Sequence, residues 1–256
     1  MSETDYEALV ERGDPDRWRT VAAAPEDKRA GLLALYGFNL EIARAPWVAS
    51  EEMLAQIRLQ WWTDAVEEIY AGNTPRRHEV VEPLARVIRD ADLPKALVQE
   101  MIKARLVDAG VETLDDRSNV DRYVHRSYGH LMVLAASHLG ASDEALLTVR
   151  DFAWGAGVAA FLRALPELEN RQRNPLPSSV SIGDLAASGR EAIRRARVKR
   201  GVVPDTAIAA LAPGWLAEKR LSMAVAKPDA VMTEGLEVSE FRARVGLLWT
   251  VASGRW

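Results

Sequence analysis

Asp64, Glu67 and Glu68 could hold a cation, because spacings of three and four put Asp64 beside the other two on one helical face. Mg²⁺ takes one or two carboxylates together with substrate phosphates, so this face would suit a diphosphate if it met a cavity. The same pattern also describes a solvated acidic face, since carboxylates mostly stay in water. Glu41 and Arg58, on neighbouring predicted helices, form a candidate inter-helix ion pair of small energetic weight if it lies at the surface. The segment YVHRSYGHLM sets Tyr123, Arg126, Tyr128 and His130 ahead of an apolar run over 131–139. It reads either as polar groups at the mouth of a cavity or as a helix leaving the core in its first turns. His78, His125, His130 and His138 have neither HExxH nor any tight ligand spacing, which favours satisfied or solvent-facing imidazoles over a metal set. The basic run REAIRRARVKR over 190–200 could touch phosphates or an anionic membrane face, or form a solvated helix.

Other chemistries are excluded by what the 256 residues lack. There is no cysteine, which removes disulfides, thiolate nucleophiles, zinc–thiolate sites and iron–sulfur clusters together. No GxGxxG, Walker A or GxSxG motif supports a nucleotide or α/β-hydrolase reading. Lys plus Arg number 33 against 37 Asp plus Glu, a net charge of -4, so nucleic acid is not expected as a partner. Hydrophobic residues at 48% and charged residues at 27% describe a packed globular chain. No run approaches the ~18 consecutive apolar residues of a membrane span, and the acidic start has no apolar leader. The expected location is the cytoplasm, with room for peripheral contact at the inner membrane.

The elements that must carry these residues read as all-α, because helical periodicity dominates and no alternating stretch lasts a strand's length. Asp14 and Pro15 have the form of an N-cap followed by proline at the first helical position, opening a short helix that Ala24-Pro25 interrupts. A long helix is predicted over 26–44, with Leu32, Leu35, Tyr36, Asn39 and Ile42 on one stripe and Pro46 closing it. Ser50 is a predicted N-cap, with Glu51 and Glu52 complementing the helix dipole and Leu54, Ile57, Trp61, Ala65 and Ile69 forming the buried face. Gly72 is the predicted C-cap. Further helices are predicted over 80–89, 94–109, 120–138 and 143–165, punctuated by Gly110, Gly140 and Pro166. The polar, turn-rich stretch 167–189 reads as a long loop, followed by helices around Arg190, over 205–218 with a kink at Pro213-Gly214, and over 239–252. Gly155, Ala156, Gly157, Ala159 and Ala160 would let another helix or a long apolar ligand come close, with helix contact the preferred explanation. One domain over 1–256 is expected, its first 13 residues loosely ordered.

Four segments then carry a specific likeness: LLALYGFNLEIA, IRLQWWTDAVEEIY, YVHRSYGHLMVLAASHLG and GAGVAAFLRALPELENRQRNPLP, with the ending GLLWTVASGRW. In order and spacing the chain resembles the squalene and phytoene synthase family over almost its whole length. The resemblance implies an isoprenoid-synthase fold, a helical bundle around a central cavity, where active members join two prenyl diphosphates head to head with Mg²⁺. The family's first paired aspartates would fall near Ala43 and Arg44, and Ala164 stands where its second motif begins, after Arg163. Glu167 and Glu169 remain nearby, with Pro166 expected to break the helix presenting them. Both acidic motifs thus look degenerate, as in the branch of respiratory complex I assembly factors, which Phe38 to Glu41 and Arg58 to Tyr70 resemble.

The leading expectation is therefore a non-catalytic or catalytically altered helical scaffold that needs no cofactor and meets a protein partner or an isoprenoid ligand such as a quinone tail. A lipid- or quinone-binding module using the basic helix around Arg194 is compatible with it. The alternative is an active head-to-head prenyltransferase acting on prenyl diphosphates with Mg²⁺. Tyr36, Asn39, Glu41, Arg58, Asp64, Tyr123, Arg126 and Arg163 are the candidate cavity or substrate residues. Asp64, Glu67 and Glu167 are the candidate metal ligands, and no residue is assigned a catalytic role. The two readings differ in one geometric respect: whether the carboxylates converge across a cavity.

Overall fold

The computed structural model describes residues 4–48, 52–171 and 176–256. Ser50 and Glu51, predicted to open a helix, lie outside them. Among the described residues the chain is helical and contains no strand. In order it forms α1 (Thr4–Gly13), α2 (Pro15–Val21), α3 (Glu26–Val48), α4 (Glu52–Tyr70), α5 (Val81–Asp90), α6 (Lys95–Asp108) and α7 (Arg117–Val124). A π-helical turn, His125–Gly129, leads directly into α8 (His130–His138), and α9 (Asp143–Asn170) follows after a short turn. Then come α10 (Ile182–Val198), α11 (Ile208–Leu211), α12 (Ala217–Ala226), α13 (Ala230–Thr233) and α14 (Glu240–Ser253).

Local chemistry accounts for several of these boundaries. Asp14 accepts a hydrogen bond from the Arg17 N–H at 3.1 Å, and Pro15 occupies the first helical position of α2, where its missing N–H costs nothing. Gly72 ends α4 with φ 78°, a left-handed conformation that lets its N–H reach Ile69 and the Asn73 N–H reach Glu68. Ser142 and Ser181 cap α9 and α10 through their hydroxyls. Of the first 13 residues, expected to be loosely ordered, 1–3 lie outside the described residues, and 4–13 form α1, which lies on α3 with Tyr6, Leu9 and Val10 buried.

Two helices organise the interior. α3 is buried on all sides from residue 32 to 40, so its apolar stripe is a full circumference, as a helix crossing the middle of a core requires. α9 lies against α8, α10, α12 and the π turn. It is long and apolar enough to cross a membrane, yet 67% of its most apolar stretch is buried within the bundle. A Cβ at Gly155 would fall 2.5 Å from the Gly189 carbonyl oxygen, and one at Gly157 2.8 Å from Val124. The small residues of α9 thus admit neighbouring helices, as preferred.

Other expectations need correction. α3 runs two residues past Pro46 and α9 four past Pro166. Each proline stands near a helix end, where the donor it lacks removes one hydrogen bond and leaves the rest of the ladder intact. The predicted loop 167–189 shrinks accordingly, because α9 holds 167–170 and α10 begins at Ile182; residues 172–175 lie outside the described residues. On α4 the buried face is turned: Ala55, Leu59, Trp62 and Val66 point inward with Ala65 and Ile69, while Leu54 is 44% and Ile57 57% exposed. Between 205 and 218 the chain forms two 3₁₀ turns around α11 rather than one kinked helix.

Candidate functional site

The described interior contains a polar network built on α6. Arg105 is 6% exposed and donates to Asp108 at 3.0 Å, to the Asn39 side chain at 3.2 Å and to the Ser127 carbonyl at 3.3 Å. Tyr123 donates its hydroxyl to the second oxygen of Asp108 at 2.6 Å, and Ser127 returns a 2.6 Å bond to the Tyr123 carbonyl. Burial opposes the Arg105 charge, but Asp108 and the neighbouring tyrosines leave its pKa raised. Burial pushes the Tyr123 hydroxyl well above its ordinary range, helped by Asp108. Asn39 and Tyr123 are therefore brought together, as parts of a core clamp joining α3, α6 and α7.

Beside this network the bundle encloses a cavity of about 60 Å³ lined by Arg17, Tyr128, Met132, Gly157, Gly214 and Arg220 among others. Tyr36 lies next to it, with the Arg17 guanidinium 5.9 Å from its ring and its hydroxyl buried near Thr20. Burial pushes the Tyr36 pKa up to about 12 against the pull of Arg17. The Nε of Arg220 is also buried without a partner, and burial followed by repulsion from Arg163 lowers its pKa against Glu237 and Asp16. Among the described residues no carboxylate lines this space, and its volume admits a few water molecules. The expected room for an isoprenoid chain is absent from it, because α8, α9 and the turn at Pro213-Gly214 close in on one another.

The candidate metal ligands lie elsewhere and are occupied. Asp64 accepts from Gln60 at 2.7 Å and stands 4.0 Å from Arg76; Glu68 is held by two bonds of 2.8 Å from Arg76. Glu67 takes Lys95 at 2.5 Å and Gln99, and the exposed Glu167 takes Arg171 at 2.6 Å. Arg126 pairs with Glu100. No group of three potential metal-binding side chains converges among the described residues. In the basic run, Arg194, Arg195 and Arg197 pair with Glu191, Asp151 and Glu218. Burial lowers the pKa of His125, His130 and His138, the second to about 4.

Glu41 and Arg58 do not pair with each other but line one groove between α3 and α4, of about 410 Å³. Arg44, Ala45, Val48, Trp61, Trp62 and His78 complete its lining. Sequence reasoning had not singled out Arg105, Asp108 and Ser127, nor Arg17 and Arg220. An i,i+3 Arg/Asp pair on an amphipathic helix reads as surface decoration, and only the tertiary neighbours turn it inward.

With this geometry in place, comparison with known proteins is informative. The squalene/phytoene synthase family model matches residues 10–245. Complex I assembly factor 6 of Mus musculus is 27% identical over 207 residues, 78% of this chain and 60% of that protein. The Homo sapiens protein is 26% identical over 178 residues, 67% of this chain and 52% of that protein. The chain thus spans only a little over half the length of these relatives. A dehydrosqualene synthase crystallised with ligand superposes with TM-score 0.81 at 14% identity, covering 98% of this chain and 95% of that one. The squalene synthase HpnC from Alicyclobacillus acidocaldarius gives 0.72 at 15% identity, over 87% and 92%. These structures share the fold, and the match over 10–245 shows that the chain belongs to the squalene/phytoene synthase family.

Proposed function

We propose that this protein is a non-catalytic member of the family, a helical scaffold acting in the assembly of a respiratory NADH dehydrogenase, as the names of its assembly-factor relatives indicate for those proteins. One observation carries the reading. The interior cavity of about 60 Å³ is flanked by Arg17 and Arg220 and lined by no carboxylate among the described residues, whereas pockets for molecules of substrate size run to ~300–1,000 Å³. A diphosphate held through Mg²⁺ needs carboxylates in good geometry around it, and the chain has Ala43, Arg44 and Ala164 where resemblance puts the family's aspartates. Asp64, Glu67 and Glu167 offer no replacement, since each is engaged by a cation of the chain outside the cavity.

The scaffold reading calls for a protein partner and no metal, and it leaves a peripheral contact with the inner membrane open to the same partner complex. The test is made in cells that encode the chain. Deleting it should lower the amount of assembled NADH dehydrogenase in native gels, and a copy carrying Asp64→Ala and Glu167→Ala should restore it. An unchanged amount of assembled enzyme, together with loss of a squalene- or phytoene-type product, would overturn the proposal in favour of a Mg²⁺-dependent prenyltransferase.

A further inference from the structure

The groove between α3 and α4 belongs to neither the interior cavity nor the Arg105 network, and its construction is that of a ligand site. Its floor is aromatic and fixed. Trp62 is 4% exposed, with ring centroids 5.5 Å from Phe38, 5.1 Å from Trp61 and 5.3 Å from His78. Arg76 is bound by both oxygens of Glu68 and lies 5.2 Å from the Trp61 ring, which straps the segment carrying His78 across α4. The His78 Nδ1 accepts the Val80 N–H at 3.1 Å, so its Nε2 carries the hydrogen and is a donor.

Charge sets the ligand class. Arg44 and Arg58 are exposed on facing helices and have no carboxylate partner among the described residues, and Glu41, between them in the lining, is likewise unpaired. Two guanidinium groups against one carboxylate leave a single positive charge, which one carboxylate of a ligand neutralises and a phosphate dianion exceeds. The remaining wall is apolar, made by Ala45, Val48 and the two tryptophans. It continues outward on α4 through Leu54 and Ile57, one turn before Arg58 and Trp61 and on the same side of the helix. At about 410 Å³ the groove has the size of a small-molecule site rather than of a protein interface.

We infer that this groove binds an amphiphilic carboxylate, its head between Arg44, Arg58 and the His78 Nε2–H and its hydrocarbon body over Trp61 and Trp62. The inference is independent of the scaffold proposal. Isothermal titration of the full chain with decanoate, decanol and decyl phosphate, each below its aggregation concentration, tests it. Saturable one-to-one binding of decanoate is expected. Decanol should bind about tenfold more weakly or worse, because the charge-assisted bonds are gone, and decyl phosphate should not exceed decanoate. The double variant Arg44→Gln, Arg58→Gln should lose about tenfold in decanoate affinity with unchanged circular dichroism, and Trp61→Ala should weaken decanoate and decanol alike. Arg86→Gln, an exposed change on α5, serves as the control for nonspecific charge and should bind decanoate as the parent does. No decanoate binding, equal affinity for decanol, tighter binding of decyl phosphate, or indifference to the double variant would each overturn the assignment.

Discussion

Asp108 is the carboxylate with most at stake among the described residues, because it faces Arg105 and Tyr123 in a buried part of the core. Removing its charge strands a buried guanidinium, which typically costs about 3–5 kcal/mol. Asp108→Asn should therefore lower stability by that order in urea unfolding, whereas the double change Arg105→Met, Asp108→Leu should cost less than the single one, because no buried charge is left behind. Asp64→Asn, half-exposed on α4, should stay within about 0.5 kcal/mol. His130 gives the pH dependence. Its pKa falls from 6.5 unfolded to about 4 folded, chiefly through burial. The unfolded chain then binds the proton more readily, so the stability held above pH 6.5 is lost as pH falls towards 4, by at most about 3 kcal/mol from this residue. Unfolding midpoints from pH 7.5 to 4.5 should drop more steeply in the parent than in His130→Asn; parallel slopes would remove His130 from the explanation.

The contact of α9 with α10 shows which elements tolerate change. Gly155 faces the Gly189 carbonyl oxygen, a backbone atom that cannot swing aside, so Gly155→Val should cost about 3 kcal/mol or more or prevent folding. Gly201, with nothing within 4 Å of a built Cβ, should accept alanine without loss, and comparison of the two melting temperatures checks both. What the sequence made legible at this scale follows the same physics. The caps at Asp14 and Gly72 were readable because one side chain or one conformation decides them locally. The α9 glycines were readable because two in one helix need a reason. The buried face of α4 was misread at Leu54 and Ile57, since an apolar residue signals burial only where a neighbour covers it, and here alanine at 55 faces inward instead. Pro46 and Pro166 were misplaced as stops because a proline near a helix end removes little. The π turn at His125–Gly129, which carries Ser127 to Arg105 and Tyr128 to the cavity, has no single-residue signature and depends on contacts far along the chain.

For the whole molecule, the chain shares the squalene/phytoene synthase fold, and the scaffold proposal turns on what occupies the interior of that fold. α3 and α9 cross the centre, the pocket beside Tyr128 is small and faced by Arg17 and Arg220, and Asp64, Glu67 and Glu167 are engaged in ion pairs outside it. The all-α class was legible because helical periodicity is set by the core, and the particular fold came from the likeness of the four segments to the family. The state of the cavity was not, because its volume depends on how closely α8, α9 and the 212–214 turn approach, which spacing along one chain does not encode. The most direct test of the scaffold account is diphosphate release from farnesyl and geranylgeranyl diphosphate by the folded full chain, with Mg²⁺ and with EDTA, beside a Glu41→Ala, Asp64→Ala double variant. The account predicts no release above the protein-free background under any condition. Release that requires Mg²⁺ and is lost in the double variant would contradict it and restore a prenyltransferase.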